Sequence, residues 1–197
     1  MILGIDTSMG TSVALVADDG AVLAERAGDD PRGHAELIGP LLESVLRGSD
    51  GPGPAAGSNA RAPRGPSAVT AVAVGMGPGP YTGLRVGIAA ARAFAAALGV
   101  PVLGVVSHEA VREQLGLGPE AAVATPAGRR GHYLSVDGRI ELTQQDPGDA
   151  VRPDGVSAAA VARVALRQRR LGEEGPQQPL YLREPDVAPP ARSKRVR

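Results

Sequence analysis

Cysteine and tryptophan are absent from the 197 residues, and the aromatic complement is one Phe and three Tyr. Without thiols there is no disulfide, no thiolate metal site and no cysteine nucleophile. With so few rings, the core has to be built from Val, Leu, Ile and Ala, which packs thinly and favours leaning on a partner. An excess of charge of one sign is missing too, because Lys plus Arg and Asp plus Glu are both 21. No long-range field then draws in nucleic acid or membrane, and any polyanion contact has to be local. No apolar run reaches the roughly 20 residues that span a bilayer. Met1 enters a strand-like run with no basic and apolar leader. The expectation is a soluble, cytoplasmic protein of one compact domain or two small lobes.

What is present is a clear succession of apolar segments. Residues 2–6, 12–17 and 21–25 read as strands, with Asp18-Asp19-Gly20 as the turn between the last two. Leu37, Ile38, Leu41, Leu42, Val45 and Leu46 recur at helical spacing, and Pro40 is expected to start or bend that helix. Residues 48–67 hold only Gly, Pro, Ala, Ser, Asn, Asp and Arg, which predicts a mobile loop with nothing to bury. A strand at 69–74 leads through Gly75-Met76-Gly77-Pro78-Gly79-Pro80 into a long helix over about 82–98, with Thr82 as N-cap and Gly99 as its stop. A strand at 102–106 follows, and Ser107 caps the next helix. The order βββαβαβ is that of one actin-like lobe.

The second half reads as strands at 121–125, 132–136 and 139–143, with Asp137-Gly138 as a hairpin turn. A helix over 157–170, a short extended segment at 180–183 and a basic, Pro-rich end complete it. This divides the chain into an N-terminal lobe at 1–106, a reduced C-terminal lobe at 107–188 and a disordered tail at 189–197. The tail is solvated or touches RNA phosphates.

The glycine loop has two physical readings. Glycines at 75, 77 and 79 let backbone N–H groups face an anion at a helix N-terminus, or they fix a strand-to-helix turn and let the helix pack closely. No Lys follows, as a phosphate-binding loop would require. On the helix itself, Leu84, Ile88, Ala91, Ala95 and Leu98 form a narrow seam suited to another helix, with Gly87, Ala89, Ala90 and Ala93 permitting close approach. A helix apolar or small on nearly every side has more than one face to cover.

Two segments, Ile5-Asp6-Thr7-Ser8 and Gly75 through Gly87, resemble the signatures of the TsaB (YeaZ) family, and Leu180-Tyr181-Leu182-Arg183 resembles its closing segment. The resemblance implies an actin-like (ASKHA, ribonuclease H-like) α/β fold with one complete N-terminal lobe and a reduced second lobe. It also implies that the long helix and the one before it face a TsaD-like catalytic paralogue, so Leu84, Ile88, Ala91, Ala95 and Leu98, with Leu37 and Leu41, are the expected interface. TsaD-like subunits carry two metal-binding His four residues apart, which fall here on Ser107 and Val111, with Glu109 alone matching the catalytic pattern. Val111 has no lone pair to offer. His34, His108 and His132 show no ligand spacing and read as surface or capping residues.

Asp6, Thr7 and Ser8, with Gly77 and Gly79, occupy the position where actin-like ATPases hold phosphates and magnesium. Asp6 serves either that purpose or the local turn. The second acidic strand end expected near 121–125 is replaced by Thr125, so a vestigial site with no cofactor of its own is expected, ATP and magnesium being held weakly or shared at most. No Ser, His and Asp constellation follows from spacing. The function this implies is a non-catalytic scaffold that supports a TsaD-like subunit in tRNA threonylcarbamoyladenosine formation, beside a TsaE-like ATPase and with tRNA reached through the complex. The rivals are a small actin-like ATPase and a self-associating structural protein, a homodimer.

Overall fold

The structure is a computed structural model that describes residues 1–28, 30, 33–47 and 66–182. Three strands open the chain: β1 (Ile2–Asp6), β2 (Thr11–Val16) and β3 (Val22–Gly28). They pair antiparallel because their connections are short turns, with Ile5 opposite Val13. Helix α1 (His34–Arg47), β4 (Ala71–Gly75), α2 (Tyr81–Leu98) and β5 (Val102–Val105) follow. The helices act as crossovers, so β4 and β5 join parallel and the sheet runs β3-β2-β1-β4-β5. Then come α3 (Ser107–Leu115), a second antiparallel sheet of β6 (Val123–Pro126), β7 (His132–Val136) and β8 (Arg139–Thr143), and α4 (Ala158–Leu171). Asp137 and Gly138 take φ of 49° and 73°, the left-handed pair of a tight hairpin.

The alternation of the strands sorts the core into two layers. Leu3, Ile5, Val13, Val72 and Val74 face α1 and α2, where they meet Ile38, Val45, Leu84, Ile88, Ala91 and Ala95. Ile2, Ala14, Val16, Ala71 and Ala73 face the other way and are covered by Val161, Ala162, Val164 and Ala165 of α4. A helix from the second half thus completes the core of the first. Arginines on its outer side fasten the β2–β3 turn: Arg163 Nε donates to the Gly20 carbonyl at 2.9 Å, and Arg170 reaches the Asp18 carbonyl.

Several expectations change. The seam Leu84, Ile88, Ala91 and Ala95 is buried against the protein's own sheet, with Ala91 at 0% and Ala95 at 2% exposure, and Leu98 packs half-buried beside it. It has no face left for a foreign subunit; the spacing marked the inward side. Leu37 and Leu41 are half-buried on α1, with Leu41 packed on the same core. Pro40 lies inside α1, which continues through it. Helix α2 starts at Tyr81 with Pro80 at its N-cap and no side-chain cap, so Thr82 caps nothing, whereas Gly99 does close the helix in the left-handed region. The predicted loop at 48–67 lies outside the described residues except for its end, where Pro66–Ala68 forms a short 3₁₀ turn. The tail at 189–197 and Arg183 also lie outside them. Among the described residues no helix is long and apolar enough to cross a membrane.

Candidate functional site

At the carboxyl end of β1 the chain gathers several of its buried polar groups. Asp6 is 1% exposed. Ser8 N–H and Ser8 Oγ donate to its Oδ1 at 2.7 and 2.6 Å, and Ser107 Oγ donates to its Oδ2 at 2.8 Å. Ser107 is tied in turn to the glycine loop, accepting from Gly77 N–H at 3.3 Å and donating its own N–H to the Gly77 carbonyl at 2.8 Å. One carboxylate therefore joins β1, the β4–α2 loop and the first turn of α3. Burial pushes the Asp6 carboxyl above its ordinary value, against the opposing pull of the Ser8 and Ser107 hydrogen bonds and of His34.

The glycines of the motif make room for these side chains. A Cβ on Gly75 would overlap the Asp6 carboxylate, and one on Gly87 would overlap the Thr7 hydroxyl. Thr7 Oγ1 donates to the Gly83 carbonyl at 2.8 Å, and a Cβ on Gly79 would press on Ser8. The space beside Gly75, Gly79 and Gly87 is thus filled by Asp6, Ser8 and Thr7 respectively, while Gly77 is faced by Leu84 and the Leu180 carbonyl. Of the two readings of the loop, close packing is the one the geometry satisfies.

A cleft of about 570 Å³ opens on the far side of the β1–β2 turn, between Met9, Gly10 and Thr11 and the loop of Asp154 and Gly155. Among the described residues its charged lining is Glu25 and Asp154. Ser157 Oγ and Ala159 N–H donate to Glu25 Oε1 at 2.8 and 3.1 Å, so that carboxylate is held by the start of α4. Among the described residues no three His, Asp or Glu side chains converge to hold a metal ion.

The histidines depart from their expected surface roles. His34 is buried, with Nδ1 2.8 Å from Thr11 Oγ1. His132 is half-buried, and its enclosed Nδ1 has no partner. His108 is 0% exposed, its Nε2 2.9 Å from Thr125 Oγ1 and its Nδ1 without a partner. Beside it Arg112 is also buried, donating from Nε to the Ala121 carbonyl at 2.9 Å, from Nη1 to Glu109 at 2.7 Å and from Nη2 to Ser135 Oγ at 3.0 Å. Glu109, the one match to the catalytic pattern, is therefore engaged in an ion pair.

Burial, with Arg112 nearby, pushes the His108 imidazole down to about 3. The unfolded chain takes up this proton first, at its ordinary value of about 6.5, so stability falls as pH drops from about 6.5 towards 3. At pH 4.5 the expected loss is about 2–3 kcal/mol. Urea titrations of the wild type and His108→Gln across that range check it. The glutamine keeps a partner for Thr125 and should remove most of the slope.

Sequence reasoning missed Ser107. A serine at a helix start reads as a cap, yet its hydroxyl belongs to Asp6; only its position in place of a metal-binding His marked it. The outward face of α2, opposite the buried seam, exposes Arg85, Ala89, Arg92, Ala93, Ala96 and Ala97.

Comparison with known proteins agrees with this architecture. The family model for TsaD, tRNA N6-adenosine threonylcarbamoyltransferase, matches residues 55–186. The uncharacterized protein Rv3421c of Mycobacterium tuberculosis H37Rv is 34% identical over 213 residues, covering 95% of this chain and 94% of that protein. YeaZ from Pseudomonas aeruginosa has the same fold, with a TM-score of 0.64 at 24% identity over 92% of this chain and 99% of its own. A second Pseudomonas aeruginosa structure, described as similar to peptidase YEAZ, gives 0.65 at the same identity and coverage. With more than half of its residues inside that family model, the chain belongs to the TsaD family, and its fold is that of the YeaZ structures.

Proposed function

We propose that this chain is a non-catalytic scaffold in a tRNA threonylcarbamoyladenosine-modifying complex, where it binds and supports a TsaD-like catalytic subunit. The observation that carries this reading is the closed Asp6 network. Both carboxylate oxygens at the strand end where actin-like proteins do chemistry are engaged by Ser8 and Ser107 and shut away from solvent. The corner stabilises the fold and presents no reactive group. A small ATPase is disfavoured for the same reason.

Surface is what remains to act with. The open face is the outer side of α1 and α2, where exposed alanines on α2 let a partner helix come close and α1 adds half-buried Leu37, Leu41 and Leu42. Both signs of charge are exposed, Glu36 and Glu43 on α1 and Arg85 and Arg92 on α2, which suits a partner of related build. The proposed interface uses the two helices that the resemblance names, with the outward residues of α2 in place of the buried seam. A TsaE-like ATPase and tRNA join through the catalytic subunit in the cytoplasm.

Ala93→Glu tests the surface. Ala93 is exposed, so the substitution should leave the isolated chain within about 0.5 kcal/mol of wild-type stability. It should weaken the complex with the TsaD-like subunit of the same organism at least about tenfold, because a charge is desolvated in a close-packed seam. Urea unfolding of the isolated chain reads the first, and light scattering on mixtures the second. Unchanged association would remove this face from the account, and a self-paired dimer that the catalytic subunit does not dissolve would favour the homodimer instead.

A further inference from the structure

Tyrosine is scarce here, and two of the three stand together on the surface. Tyr81 opens α2 and Tyr181 lies on the segment after α4; their ring centroids are 4.8 Å apart and tilted by 43°. Arg85, one turn along α2, sits 5.1 Å above the Tyr81 ring and donates from Nη1 to its hydroxyl at 2.6 Å. Tyr181 is 39% exposed and Arg85 is exposed. Tyr81 is half-buried, so one ring is partly enclosed and the other displayed outside a core poor in aromatics.

The display is rigid. After α4 the chain returns across β5 as a strap. Gly104 and Gly175 approach so closely that a Cβ on the first would overlap the Pro176 carbonyl and one on the second would overlap the Gly104 carbonyl. Further along, Arg92 Nη2 donates to the Gln177 carbonyl at 3.4 Å, and Leu180 N–H donates to the Met76 carbonyl at 2.7 Å. The strap is thereby fixed to the glycine loop one residue before Tyr181.

We infer that Tyr81, Arg85 and Tyr181 form the anchoring patch of the α2 surface and receive a carboxylate-bearing segment of the catalytic subunit. This rests on the proposed docking of that subunit. Tyr81, Arg85, Ala89, Arg92 and Ala96 follow one another at helical spacing, so the patch continues the exposed α2 face. Tyrosine and arginine are the residues that concentrate binding energy, and rings already held in place lose little entropy on docking. Neither Arg85 nor Arg92 has an ion-pair partner among the described residues, which leaves two guanidinium groups for carboxylates of the partner. An RNA occupant is the weaker match, because two arginines on a chain of zero net charge make a poor phosphate track.

The test measures affinity of the full chain for the TsaD-like subunit, and for labelled tRNA, in wild type, Tyr181→Ala, Tyr181→Phe and Arg85→Gln. Tyr181→Ala and Arg85→Gln should each weaken the protein complex about tenfold or more, with Tyr181→Phe close to wild type. Arg85→Gln keeps the question open to disproof should Tyr181→Ala loosen the strap and lower the melting temperature. If the wild type binds and both variants bind as well as it does, the rings only pin the strap and the inference fails while the docking reading stands. If the wild type does not bind, both fail. A loss confined to tRNA overturns the inference in favour of an RNA contact.

Discussion

Ala91→Asp should leave no folded protein. Ala91 is fully enclosed between α2 and the sheet, among Leu3, Ile5, Val72 and Val74. An ionised carboxylate there has no partner and no water, which costs several kcal/mol, and the larger side chain overpacks a site built for a methyl group. A domain of this size is stable by only about 5–15 kcal/mol in all. Insoluble expression, or a cooperative transition lost at room temperature, is the expected result, and Ala95→Asp should behave alike. Soluble, normally melting Ala91→Asp protein would mean that α2 does not sit as described. The contrast with Ala93→Glu, two residues on, is the sharpest mutational signature of the helix orientation.

The second large effect concerns Asp6. Asp6→Ala removes the acceptor for three buried donors: Ser8 N–H, Ser8 Oγ and Ser107 Oγ. Each orphaned group costs about 1–3 kcal/mol, so a loss on the order of 3 kcal/mol is expected in urea denaturation, even with some hydroxyls turning to other acceptors. Asp6→Asn should be nearly neutral. Its carbonyl keeps both Ser8 bonds, and its amide donates to Ser107 Oγ. Because burial raises the Asp6 carboxyl, the wild type is favoured below the unfolded value of 3.8 and loses ground as pH rises through the folded value. Asparagine should therefore gain on aspartate with rising pH. Were Asp6→Ala as stable as wild type, the network would be idle; were Asp6→Asn to abolish a measurable ATP affinity, the strand end would be a phosphate site after all.

Much of this fold can be read from the chain. Apolar runs and turn residues give the βββαβαβ order, and β1, β7 and β8 fall where the alternation puts them. The direction of α2 cannot be read in the same way. A four-three spacing of Leu84, Ile88, Ala91 and Ala95 is identical whether the cover is a partner or the protein's own sheet. Only the inward Leu3, Ile5, Val72 and Val74, brought together by pairing, decide it. His108 is similar: its burial depends on Thr125 of β6, which local sequence does not place beside it. Ser107 and Asp6 are separated by 101 positions, so their hydrogen bond is a product of topology. The Gly motif was legible as a motif, yet which reading it takes depends on Asp6 and Thr7 filling the room it leaves.

The central claim is that this chain contributes surface while the reaction belongs to another subunit. A tRNA threonylcarbamoylation assay, supplied with the activated threonylcarbamoyl donor, the TsaE-like ATPase and ATP, tests it most directly when run with this chain alone, the TsaD-like subunit alone and the two together. The account predicts no product from this chain alone, full product from the pair, and no change when Asp6→Asn replaces the wild type in the pair. Modified tRNA formed by this chain alone, or product from the pair lost with Asp6→Asn while the complex still assembles, would contradict it.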